Sequence, residues 1–314
     1  MPLHMHSGRT HGAGRAAVAE IIKFPAALKK RRVIRDLLGL AASLGRLGAL
    51  EVRLATTKKE IRQAQRLRYK VFFEEGGAIP DKTAMLTRRD ICPFDRLCDH
   101  LIVIDHDARS KRLGLRKSRV VGAYRLLRQD VAQARSGFYT ALEFDIAPLL
   151  ARHPQKRFLE MGRSCVLPEY RTKRTIELLW HGIGAYIAHH RMDVLIGCAS
   201  LHGCDVGALS LELGFLHHYA GTADDDKRDW RAAPLPARHT PMDALAKEQV
   251  DKRKALHALP PLIKAYLRCG AMVGEGAVVD RQFGTVDVLM IMPVAAIDAR
   301  YLAQFGGAIA AQAA

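Results

Sequence analysis

The sequence predicts a mixed α/β sheet flanked by helices, with an extension at its C-terminal end. Three observations predict it. From Glu51 onward, short apolar runs alternate with longer segments of helical periodicity. The apolar run 157–166 passes through the basic turn "PEYRTKRT", which lacks a turn glycine, into another periodic segment. A last apolar run, "TVDVLMIMPV", has nothing beside it with which to build a core of its own, so it is expected to complete the first sheet.

Each element follows in order. "LEVRLAT" reads as the first strand, and residues 58–73 place Ile61, Ala64, Leu67, Val71 and Phe72 at helical spacing. "DHLIVID" and "SRVVGAYRLL" read as neighbouring strands joined by the basic loop "HDARSKRLGLRK". Residues 157–166 form the fourth strand, 172–189 a helix and "DVLIGCAS" a buried strand. A short helix then ends in "LELGF", where Gly214 suits a C-cap. Residues 221–257 mix Asp, Lys, Arg and Pro without periodicity and read as a linker or flexible insertion. Residues 258–306, with the helix "LPPLIKAYLRCG" and the last strand, complete the sheet, and 307–314 are a tail.

Forty-nine Lys and Arg against thirty-two Asp and Glu leave a formal charge of +17. Such a surface favours an acidic partner: nucleic acid, an anionic membrane or an acidic protein. No nucleic-acid motif is present, and 6% aromatics leave no evident stacking platforms, so nucleic acid is not the expected partner. The six cysteines contain no C-x-x-C pair, which argues against zinc ribbons and for reduced thiols in a cytoplasmic protein; no metal is expected. Residues 1–48 read as a basic arm and amphipathic helix, with no secretory signal or membrane-spanning stretch. Leu37, Leu38, Leu44 and Leu47 fall near helical spacing among Lys29, Lys30, Arg31, Arg32 and Arg35. Such a helix suits peripheral docking on the anionic inner face of the cytoplasmic membrane, or packing against the folded domain.

The order of elements resembles the GCN5-related N-acetyltransferase fold. That resemblance implies a fourth and fifth strand that splay to admit an acyl thioester, and a turn that holds phosphate at a helix N-terminus. The usual turn has the pattern Q/R-x-x-G-x-G/A; here Arg171 to Ile176 replaces both glycines. Within that superfamily, "AQRLRYKVFFEE", "CPFDRLCDHLIV", "VGAYRLL", "FYTALEFD", "LEMGRSCV", "TIELLWHGI", "GCASLHG" and "LPPLIKAYLRCGA" together resemble the ornithine N-alpha-acyltransferases of ornithine-lipid synthesis. The similarity to acyl-homoserine-lactone synthases is more distant. The resemblance to the ornithine N-alpha-acyltransferases covers about residues 50–305, so that 49–306 is expected to be one acyltransferase domain.

The resemblance implies an acyl group carried on acyl carrier protein, with phosphopantetheine as part of the co-substrate, L-ornithine as acceptor and no bound cofactor. Val166, Arg171, Lys173 and Arg174 are then expected to meet the phosphopantetheine and an acidic carrier. An α-amine attacks a thioester only when neutral, and Glu160 is the first candidate base, with Arg163 beside it if a bulge turns both into the cleft. Without a bulge, strand alternation sends them to opposite faces, and an ion pair between them would be structural. Arg68 and Arg125 are of the right type for the acceptor's carboxylate. Asp90, Asp95 and Asp99 cluster where a δ-ammonium would need acids. By analogy with the lactone synthases, Arg68, Phe72, Asp95, Arg125, Glu160 and Arg163 match shared positions, and Ser164 is counted with the substrate-binding set. Backbone N–H groups near Cys165 and Val166 are expected to meet the oxyanion, while Cys165 itself reads as a buried thiol. The tyrosine that often protonates the leaving thiolate is replaced by Ser210, so either the thiolate leaves unassisted or another group, such as Tyr170, serves instead. The competing readings are another amino-acid N-acyltransferase, including a lactone synthase, and a basic lipid- or nucleic-acid-binding protein without catalysis.

Overall fold

Hydrogen bonding along the chain assembles an eight-stranded sheet in the order β1-β2-β3-β4-β6-β7-β10-β9. In the computed structural model, which describes residues 39–109, 117–222 and 224–297, the strands are β1 (Gly45–Leu47), β2 (Leu50–Leu54), β3 (Asp99–Asp105), β4 (Arg119–Arg128), β6 (Phe158–Val166), β7 (Val194–His202), β9 (Met272–Asp280) and β10 (Thr285–Pro293). A separate two-residue pair joins β5 (Phe144–Asp145) to β8 (Ala233–Pro234). All pairings of the large sheet are antiparallel except β6 with β7.

Helices α1 (Lys58–Tyr69), α2 (Lys82–Thr87), α3 (Gln129–Gln133), α4 (Ala147–Arg152), α5 (Lys173–His190), α6 (Ser210–Ala220), α7 (Lys252–Ala258) and α8 (Pro261–Arg268) complete the described elements. Helix α1 starts in a capping box between Thr57 and Glu60 and runs on into a π-helical turn, Lys70–Glu75. It packs on β4 and β6, while α5 crosses β1, β2 and β3 on the other face. Leu101 and Ile102, adjacent on β3 and both fully buried, face opposite helical layers as strand alternation requires. Gly182 lets α5 approach Val52 and Leu101 closer than any side chain would permit.

Several expectations change. The described part of the helix predicted over 29–50, from Gly39 onward, is not helical: residues 45–47 pair with β2, and Leu40 and Leu44 are buried. The rest of the basic arm, the tail 307–314 and most of the loop between β3 and β4 lie outside the described residues. Helix α6 runs on to Ala220, and Gly214 inside it gives way to Val250 and Leu245 instead of capping. Residues 221–257 are a strap, not a flexible insertion. Glu275 N–H donates to Ala232 O, Thr240 exchanges backbone bonds with Ala277, and Met242 and Val250 are buried. A strap satisfies its backbone against the outer strand β9, protecting an edge without needing any period of its own. The last strand completes the sheet as expected, but by insertion between β7 and β9. Among the described residues, no helix is long and apolar enough to cross a membrane.

Candidate active site

Strands β6 and β7 are paired only from Phe158 opposite Val194 to Glu160 opposite Ile196, then part. A Cβ on Gly197 would collide with the Met161 carbonyl, so glycine stands where the strands are closest before the gap opens. The strands border the gap with Gly162, Arg163 and Ser164 on one side and Cys198 and Ser200 on the other, all at least partly exposed. On the α5 face, Met161, Leu195, Gly197, Tyr266, Ala271, Met290 and Met292 line an apolar hollow beneath it.

The bulge is present in β6. Ala123 pairs with Cys165 and Arg125 with Gly162, so β6 carries an extra residue there, and Arg163 takes φ 54°. The kink brings Glu160 and Arg163 to the same residue, Tyr139, without joining them to each other. Glu160, 3% exposed, accepts the backbone N–H groups of Tyr139 (3.1 Å) and Thr140 (2.6 Å). Arg163 lies over the rings of Tyr139 (5.0 Å) and Phe283 (4.7 Å), with Nε 3.3 Å from Asp90. Phe72, on the π-helical turn, meets Phe283 edge-on at 6.0 Å. Arg125 stacks over Tyr139 (5.2 Å) and Phe94 (5.9 Å), with one nitrogen 3.5 Å from Asp95. Ser164 shares a hydrogen bond with the Tyr124 hydroxyl, which in turn faces the Tyr266 hydroxyl at 3.3 Å.

The arginine and aspartates expected to bind acceptor are spent elsewhere. Arg68 is 1% exposed and its fork is filled: Nε donates to Asp90 at 2.8 Å, and Nη1 and Nη2 to Asp95 at 2.9 and 2.7 Å. Asp95 also accepts from Gln65 and from Cys92 N–H. Burial pushes the Asp95 carboxyl up, but Arg68 outweighs it and holds the group well below the usual range. Asp90 and Asp95 therefore anchor Arg68, and Asp99 accepts the Tyr186 hydroxyl of α5 at 2.7 Å. These aspartates are neighbours in sequence but do not form one ammonium pocket, because β3 turns Asp99 toward the opposite helical layer. His100 is a core histidine bonded to the Asp95 carbonyl, its pKa pushed down to about 4 by burial. Burial raises the Cys165 thiol to about 12, which suits a structural thiol and not a nucleophile. Tyr170 donates its hydroxyl to Asp105 at 2.7 Å, so it is committed to the end of β3.

Beyond β6 the chain makes one turn and enters α5, whose N-cap Thr172 accepts from Thr175 N–H. Arg171 reaches back to the Val166 carbonyl (3.1 Å) and pairs with Glu75 (2.8 Å). Lys173 and Arg174 are exposed in the first turn of α5, which holds no acid. Cations at the positive end of a helix are unfavourable unless something negative visits.

A group absent from the expected site lies across the gap. Carboxylate oxygens of Glu143, Asp280 and Asp287 all come within 4.8 Å of one another. Glu143 is 3% and Asp287 6% exposed. Burial, then the neighbouring Asp287, pushes Glu143 up to about 7, and burial raises Asp287. The signal was available in part: Asp287 interrupts the apolar run "TVDVLMIMPV", where an acid needs a reason. Glu143 and Asp280 gave no such sign, because each reaches the group from a turn or strand end.

Comparison with known proteins agrees with this architecture. Residues 67–181 match the acetyltransferase (GNAT) domain family, and the protein is an acyltransferase of the GNAT fold. The L-ornithine N(alpha)-acyltransferase of Agrobacterium fabrum is 52% identical over 263 residues, 84% of this chain and 87% of its own. That of Brucella abortus is 47% identical over 268 residues, 85% of this chain and 92% of its own. The chain belongs to the L-ornithine N(alpha)-acyltransferase family. Among solved structures, a CoA-dependent acyl-homoserine lactone synthase aligns over 81% of this chain and 83% of its own, with 13% identity and a TM-score of 0.42.

Proposed function

We propose that this enzyme moves a fatty acyl group, including 3-hydroxy forms, from acyl carrier protein to the α-amine of L-ornithine, giving lyso-ornithine lipid. The observation that carries the reading is the gap between β6 and β7, with an apolar hollow on one face, charged groups on the other, and exposed cations at the helix end beside it. The acyl chain enters from the apolar side of the gap, where Met161, Met290 and Met292 lie, and the thioester carbonyl lies in the gap. Leu167 donates its N–H to Val121 in β4, so strand alternation turns the Val166 N–H toward the gap, where it meets the developing oxyanion. Arg171, Lys173 and Arg174 meet the phosphopantetheine phosphate and the acidic carrier surface.

On the other face, Arg163 and Arg125 orient the acceptor's carboxylate against the aromatic wall of Phe72, Tyr139 and Phe283. Glu160 takes the proton of the α-ammonium: each of its oxygens accepts one amide and keeps a lone pair for a second donor. The neutral amine attacks the thioester carbon, the C–S bond breaks, and the thiolate leaves on the carrier.

The test is mass spectrometry of the product made by purified full-length protein from acyl carrier protein or coenzyme A thioesters and ornithine. The α-amide is expected, with kcat/KM at least roughly tenfold higher for the carrier protein donor. A δ-amide, no amide, or equal use of the two donors would contradict the reading. Glu160→Gln is expected to lower kcat on the order of a hundredfold. Wild-type turnover in that variant would take Glu160 out of the proton transfer.

A further inference from the structure

The chain carries a large excess of positive charge, yet three of its acids are gathered at one end of the gap. Glu143 comes from the turn before β5, Asp280 from the end of β9 and Asp287 from within β10. Their carboxylate oxygens lie within 4.8 Å of one another, and among the described residues no salt bridge reaches any of them. Part of the arrangement is explained locally. Asp280 accepts the N–H groups of Gln282 (2.8 Å) and Phe283 (3.0 Å) in the β9–β10 turn, and Asp287 accepts the Thr285 hydroxyl at 2.9 Å. Glu143 is not so explained: it is 3% exposed, and its Oε2 has no hydrogen-bond partner. A buried acceptor without a donor is costly, and one aimed into a group of further acids calls for a cation that comes and goes.

The position favours a cation that is part of the acceptor. Asp287 lies opposite Ser200, which is exposed at the gap, and Cys198, two pairs along on the same face, donates its thiol to Glu143. Phe283, whose N–H binds Asp280, carries the Arg163 guanidinium on its ring. One residue thus joins the acidic group to the arginine assigned to the acceptor's carboxylate. An amino acid with a positive end and a negative end would lie across Phe283 between them.

Donor geometry admits an ammonium: three acceptors about 2.8 Å from a tetrahedral nitrogen stand about 4.6 Å apart, inside the 4.8 Å that bounds the separations of these oxygens. The link through Phe283 to Arg163, and not that spacing, favours an ammonium over a metal ion. We propose that Glu143, Asp280 and Asp287 form the subsite for the side-chain ammonium of the acceptor, the feature that selects a diamino acid over a neutral one. This rests on the acceptor reading above and assigns its second charge to residues on β9, β10 and the turn before β5.

The test compares L-ornithine with L-norvaline, which has hydrogen in place of the terminal ammonium, using full-length protein and an acyl carrier protein donor. Wild-type protein is expected to prefer ornithine about a hundredfold or more in kcat/KM. Asp287→Asn and Glu143→Gln should each cut that preference at least about tenfold, chiefly through the KM for ornithine. Should one variant fail to fold, as judged by its melting curve, the other decides. An unchanged preference in the folded variants overturns the proposal, as does loss of activity in EDTA that manganese or magnesium restores. If wild-type protein acylates neither acceptor, the acyl-transfer reading fails by itself. The subsite is then judged by calorimetry with ornithine: binding that Asp287→Asn abolishes sustains it, and absent or unaltered binding overturns it.

Discussion

Arg68 shows how a residue of the right type can be the wrong residue. It has the fork a carboxylate needs, but Asp90 and Asp95 already fill it in a place that solvent does not reach. Removing one partner of such a group leaves buried charges uncompensated, at a cost of about 3–5 kcal/mol. Arg68→Gln is accordingly expected to lower stability to urea by that order. A variant with normal stability and only a raised KM for ornithine would return Arg68 to substrate binding. Glu143 makes the complementary case. Its pKa rises from 4.5 to about 7 through burial and the nearby Asp287, so the folded state holds a proton there that the unfolded state has released. Stability from this group is therefore lost as pH rises from about 4.5 through 7. Its surroundings are Asp287 on β10, Asp280 on β9, Cys198 on β7 and the more distant Arg238 after β8. Glu143→Gln should flatten the fall in melting temperature between pH 5 and 7.5, and an identical pH dependence in both proteins would place the titrating group elsewhere.

Among the elements, α5 carries cations at the end where its own dipole disfavours them. Its first turn carries Lys173 and Arg174 against the helix dipole, each unfavourable by about 0.3–1 kcal/mol. The Lys173–Glu177 pair at 3.6 Å is exposed and offsets little of this. Replacing both with glutamate is expected to leave the melting temperature unchanged or slightly higher while raising the KM for acyl carrier protein about tenfold or more. Salt should weaken carrier binding in the wild type and matter far less in the double variant. If donor kinetics survive the charge reversal intact, the carrier docks on another face. The bulge in β6 works at the same scale, since one extra residue turns Arg163 toward Tyr139.

At the scale of the whole molecule, membrane docking is an expectation that rests on the cations gathered in residues 1–38 of the sequence. We expect the full-length protein to sediment with anionic vesicles in low salt and to be released in high salt. Deleting residues 1–38 should greatly reduce binding while leaving the melting temperature near that of the full chain. Binding that survives the deletion would place the membrane surface elsewhere. The cut belongs before Gly39: a deletion through residue 48 would also remove the buried Leu40 and Leu44 and strand β1, unpairing the edge of β2. The other edge depends on the C-terminal part of the chain, since β10 lies against β7 along its whole length and the strap 221–257 is bonded to β9.

The sequence by itself determined the strands and helices that bury an apolar face, because a period of two or 3.6 is written in neighbouring residues. Strands β2, β3, β4, β6, β7 and β10, the helix α5 and its basic turn were all legible in this way. Local pattern also placed Glu160 and Arg163 on one strand, and the resemblance supplied the bulge that turns both toward Tyr139. Only the tertiary structure decided what depends on distant residues meeting. The strap has no period, since its order comes from backbone bonds to β9. Arg68 and Asp95, 27 positions apart, satisfy each other, which no spacing rule announces. Glu143 and Asp287 lie 144 positions apart along the chain (287 − 143) and share one small acidic group because β10 inserts beside β7. Hydrophobic periodicity is a property of a segment, whereas the charge balance of a buried site is a property of whatever the fold brings around it.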